Sequence, residues 1–121
     1  EVVVLEMGTD LFQRETEIVL ESEVVHAHVD AVLYCAGDVV SANAARDRLK
    51  TRYELPLLAV SGTVAESALG IREVEDGLQV ACCNPWESGQ ATLVQALAGA
   101  FPDLIQTESE DEDESVAVDR S

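Results

Sequence analysis

Ala31-Val32-Leu33-Tyr34-Cys35-Ala36-Gly37-Asp38 carries the reading of the fold. Six residues without charge stand in a row and show no polar alternation. A strand buried on both faces has that pattern, and such strands belong to parallel sheets. Gly37-Asp38 stops the run. Ser41 then predicts a capped helix through about Tyr53, with Ala42, Ala45 and Leu49 on one face and arginines on the other. The same order is repeated next. Pro56 restarts the chain in extended form, Leu57-Leu58-Ala59-Val60 reads as a buried strand, and Ser61-Gly62-Thr63 ends it. Val64 to Leu69 reads as a short helix closed by Gly70.

Working outward, Val2-Val3-Val4-Leu5 reads as another buried strand, ending at Gly8. Asp10 is placed to cap a long amphipathic helix from Leu11 to His28. On the other side, Ile71 to Val74 reads as a brief strand or an extended linker, and Asp76-Gly77 as a turn. Leu78 to Cys83 reads as a further strand broken by Asn84-Pro85. A last helix, about Ala91 to Phe101, ends at Pro102. Strands alternating with helices predict parallel pairing through right-handed crossovers. The expected fold is therefore α/β, a three-layer sandwich with a mainly parallel sheet of four or five strands. The domain is expected over residues 1–106. Residues 107–121, with six acids in the seven positions from Glu108 to Glu114, read as a disordered acidic tail.

The 121 residues carry 24 acids against 7 Lys plus Arg, a formal net charge of −17. Such a surface repels nucleic acid and anionic membranes, so neither is expected as a partner. Lys50 is the sole lysine. Abundant acid with depleted lysine predicts a salt-adapted, halophilic source, where screening removes the self-repulsion. Arg46, Arg48 and Arg52 are expected to pair with acids rather than to bind phosphate. Cys35, Cys82 and Cys83 are an odd count in apolar surroundings, which predicts buried free thiols in a reducing, cytoplasmic setting. No apolar run reaches the 18 or so residues of a membrane span, and no basic leader flanks Val2 to Leu5.

In parallel α/β sheets, ligands bind outside the carboxyl ends of the strands. That rule selects Asp10, Gly37, Asp38, Ser41, Ser61, Gly62, Thr63 and Asn84. As a site they would supply backbone N–H groups, hydroxyls and two carboxylates, with Asp10 and Asp38 able to orient a ribose or hold a metal. As plain structure they are helix caps and turn residues. GTP or another nucleotide with magnesium is the cofactor class that this rim would take. Trp86 would stack on a ligand or close the core edge. His26 and His28 read as helix-end residues rather than catalysts, and no zinc-ligand spacing links them to the cysteines. The chain has no G-x-x-x-x-G-K-[ST], no G-x-G-x-x-G and no G-x-S-x-G.

Asp30-Ala31-Val32-Leu33-Tyr34, then Leu57 to Val60 leading to Ser61-Gly62-Thr63-Val64, then Cys82-Cys83-Asn84 and a closing helix, resemble the later half of a Ras-like GTPase domain. The resemblance covers about residues 1–103 and lies in pattern and spacing. The switch position reads Glu6-Met7-Gly8, and the guanine-reading and phosphate-loop motifs are absent. It implies a non-catalytic GTPase-like domain acting as a protein-interaction or regulatory module, with a homo-oligomer among the alternatives. Separately, Gly37-Asp38-Val39-Val40-Ser41-Ala42-Asn43, with Asn84-Pro85, Gly89 and Thr92, is similar to segments of archaeal GTP-dependent dephospho-coenzyme A kinases. That likeness implies a small enzyme binding a nucleotide or coenzyme A through Asp38, Ser41 and Asn84. The Glu-Glu-Asp-Leu motif of those kinases does not occur here.

Overall fold

Three of the apolar runs pair as parallel strands, and each crossover between them is helical. The computed structural model describes residues 2–8, 10–87 and 89–103. The strands are β1 (Val32–Cys35), β2 (Leu57–Ser61) and β3 (Ala81–Cys82), in the order β1-β2-β3. Five α-helices accompany them: α1 (Arg14–Glu21), α2 (Glu23–His28), α3 (Val39–Arg48), α4 (Ala68–Leu78) and α5 (Gly89–Ala100). The protein is thus α/β with a parallel sheet. None of the described helices is long and apolar enough to cross a membrane.

The described sheet has three strands, where four or five were expected. Val2 to Leu5 forms no strand and pairs with none of the described residues, and Val3 and Val4 are 83% and 86% exposed. The apolar run satisfies the local requirement for a strand but has no neighbour to receive its hydrogen bonds. The second departure is α4. Ile71 to Val74 and Asp76-Gly77 are helical, and the strand expected from Leu78 begins only at Ala81. Ser67 caps this helix through its hydroxyl, which accepts the Gly70 N–H at 3.0 Å. Val74 and Leu78 are buried at helical spacing, with Ile71 packed beside them. Gly70 does not end a helix. It lies so close to the Val64 carbonyl that a Cβ would come within 2.0 Å of the oxygen.

The long first helix is broken at Ser22, whose ψ of 130° is extended, so α1 and α2 replace it. The start of α3 is set by Asp38 rather than Ser41. Its end widens into a π-helical turn, Leu49–Tyr53, which leaves through Glu54 at φ 56°. That turn puts Leu49 and Tyr53 into a core with Leu11, Leu20, Ala45 and Leu55, on which Met7 and Val32 also pack. Ion pairs Arg48–Glu17 and Arg52–Glu21 tie α1 to the end of α3 and to that turn.

Tyr34, Val60 and Cys82 form a row across one sheet face, packed with Ala42, Val74 and Leu78. The alternation of the strands sends Leu33, Cys35, Ala59, Ser61 and Cys83 to the other face. There α5 packs on β2 and β3, and Ala59 and Cys83 are buried. At β1 the cover is missing: Leu33 is 46% exposed and Cys35 is exposed. The expectation that all three thiols are buried is corrected at Cys35 for this reason. Tail residues 107–121 and the expected boundary at 106 lie outside the described residues.

Candidate functional site

The carboxyl ends of β1 and β2 interlock. Ala36 N–H donates to the Ser61 carbonyl at 2.9 Å, and Val64 N–H donates to the Ala36 carbonyl at 3.0 Å. Gly62 makes this fit. Its φ is 90°, and a Cβ there would lie 2.8 Å from both the nitrogen and the oxygen of Ala36. Thr63 Oγ1 lies 3.7 Å from where a Gly37 Cβ would stand. Gly37, Ser61, Gly62 and Thr63 therefore meet at one end of the sheet, and Ser61 is buried.

The remaining expected residues are engaged locally. Asp38 Oδ1 accepts the Ser41 N–H at 2.7 Å and caps α3. That backbone bond, with further help from the Ser41 hydroxyl and the Val40 N–H, holds the exposed Asp38 carboxyl below its usual range. Asp10 Oδ1 accepts the Phe12 N–H at 2.8 Å in a turn of its own. Asp10 still stands near β1, since its charge is one reason the Tyr34 phenol titrates higher, after the larger effect of burial. Asn84 Oδ1 accepts the Trp86 N–H at 3.0 Å, while its carbonyl accepts from Glu87 and Gly89. Gly89 is pressed against it: a Cβ there would come within 2.4 Å of the Asn84 backbone.

Two clefts lie beside this rim, and the second touches it at Asn84. One, of about 580 Å³, opens between Arg46, Lys50, Glu54, Leu55, Pro56 and Leu57. The other, of about 250 Å³, follows β3 and includes Glu75, Cys82, Cys83, Asn84 and Thr92. Of the expected site residues, only Asn84 lines either. Among the described residues, no three metal-ligating side chains gather at one point. Arg46 is spent on structure, donating to the Leu78 carbonyl at 2.6 Å. His26 bonds the Tyr53 carbonyl and His28 the Val24 carbonyl, in keeping with a helix-end role. Trp86 does not close the core edge; it is 93% exposed.

Two features escaped the sequence reading. Glu75 is the first. Cys83 N–H bonds inward to the Val60 carbonyl, so Cys82 N–H points to the outer edge of β3. There it donates to Glu75 Oε2 at 3.3 Å. Burial, then the Glu75 charge and Cys83, push the Cys82 thiol up to about 11. The second is the outer edge of β1. Val32 and Ala36 N–H groups face β2, so Leu33 and Cys35 direct theirs outward, where no described residue pairs with them. Glu75 had one available signal, its place one helical turn after Ile71 and a few residues before the strand. The β1 edge had none, because pairing partners are not local.

No family model, curated protein or solved structure matches the chain.

Proposed function

We propose that this chain is a GTPase-like α/β module that works by binding protein, not by turning over a nucleotide. The observation that carries the reading is the open side of the sheet. At β1 an unpaired edge, a half-exposed Leu33 and an exposed Cys35 occur together, and Val2 to Leu5 offers further apolar surface. An unprotected edge with apolar neighbours is a template for another chain. A strand laid along β1 would bring the sheet to the expected four, inside a three-layer sandwich. The strand-end polar groups support the same reading, because Asp38, Asp10 and Asn84 each already give one side-chain oxygen to a backbone N–H group. The acidic surface fits work in a salt-rich cytoplasm.

Thermal unfolding in molar potassium chloride with GTP, ATP and coenzyme A, each with and without magnesium, tests this. The midpoint is expected to stay unchanged, because a ligand that binds only the folded form must raise it. A rise at millimolar ligand that disappears in Asp38→Ala would overturn the proposal. It would favour the alternative, a small enzyme of the dephospho-coenzyme A kinase type using Asp38, Ser41 and Asn84.

A further inference from the structure

We infer that the partner at the β1 edge is a second copy of this chain, which lays its Val2 to Leu5 segment along β1 and receives the same segment in return. The inference rests on the protein-binding reading above and names its occupant. Among the described residues both halves of the contact are in one chain: an apolar run of strand-forming residues with no edge, and an edge with no strand. Val2, Val3, Val4 and Leu5 are all more than half exposed, while Met7, two residues on, is anchored on the core beside Leu11 and Leu49. The segment therefore leaves the body of the protein from a fixed point and projects its apolar side chains into water.

Pairing joins the outward N–H and C=O groups of Leu33 and Cys35 to the incoming backbone. The incoming side chains then cover Leu33, which the fold leaves half exposed. Two exchanges related by a twofold axis double the area that one covers, toward the roughly 1,600 Å² of a standard stable interface. The twofold closes the assembly, since donor and acceptor are used once in each copy. The other edge adds no further copies, because Glu75 already occupies the Cys82 N–H. With −17 on each protomer, association needs screening, so the dimer should strengthen as salt rises.

The test is the molar mass of the full chain by light scattering or sedimentation across a potassium chloride series, with amide exchange at Leu33 and Cys35. The expected result is twice the 13.0 kDa protomer mass in molar salt, with both amides protected. The double variant Val3→Asp/Val4→Asp changes exposed side chains only, so its circular dichroism should match the parent. It should weaken the dimer at least about tenfold and release both amides to fast exchange. A monomer throughout the salt series overturns the inference. If its two amides exchange fast, a different protein takes the edge; if they are protected, the chain's own segment does. A dimer indifferent to the double substitution also overturns it, and points to direct pairing of two β1 edges. None of these outcomes moves the ligand-dependent midpoint that tests the broader reading.

Discussion

The two edges of one small sheet are treated in opposite ways. At β3 the outward N–H of Cys82 is met by Glu75, the strand is two residues long, and α5 covers its second face. At β1 the outward groups of Leu33 and Cys35 meet nothing among the described residues, and the second face is open. An edge can be finished by a carboxylate from a preceding helix, at little expense in sequence. No such finish is found at β1 among the described residues, and the partner strand proposed above would supply one.

The contrast can be broken most forcefully at the end of β3. Gly89→Ala drives a Cβ into the Asn84 backbone and should cost about 3 kcal/mol, read as a lower midpoint in urea unfolding, with α5 loosened from the sheet. Alkali comes next. The Cys82 thiol is held at about 11 in the fold against an ordinary value near 9. A raised folded value means that the stabilisation is intact below pH 9 and is lost as pH climbs toward 11. About 1–2 kcal/mol should disappear over that window once solvent screening is allowed for, and Cys82→Ala should make the fall shallower without abolishing it, because burial also raises the Cys83 thiol and the Tyr34 phenol. Glu75→Ala reopens the β3 edge. It should cost about 1 kcal/mol, speed amide exchange at Cys82, and lower the thiol's titration point, because the carboxylate helps to raise it. The mildest probe changes no stability. A thiol reagent at neutral pH should label Cys35 quickly and leave Cys82 and Cys83 untouched until the protein unfolds, since only the first is exposed.

Much of the architecture was legible because it depends on local pattern. Val32 to Cys35 and Leu57 to Ser61 are apolar runs with polar stops, and they form strands as read. The strand-end residues Gly37, Ser61, Gly62 and Thr63 do come together, as parallel topology requires. What was misread had competing local signals. Gly70 and Asp76-Gly77 look like stops, yet the apolar spacing of Ile71, Val74 and Leu78 prevails and α4 runs through both glycines. Val2 to Leu5 has the composition of a strand, but composition does not supply an adjacent edge. Cys35 looks like its apolar neighbours, and its exposure depends on how helices distant in sequence cover the sheet, α5 packing chiefly on β2 and β3. Asp38, Asp10 and Asn84 were equally readable as ligand groups or as caps, and the hydrogen bonds they make are those of caps and turns.

The π-helical turn at Leu49–Tyr53 makes an odd request of any future redesign. It takes up one residue more than a regular turn would, and a π turn absorbs that residue with little change in the direction of the chain beyond it. Removing a single residue there would let the backbone rewind into ordinary helix and keep Tyr53 on its inward side, whereas removing one from the regular part of α3 would turn everything after it by about 100°. The segment should therefore be the place on this helix where the count can fall by one at the least cost.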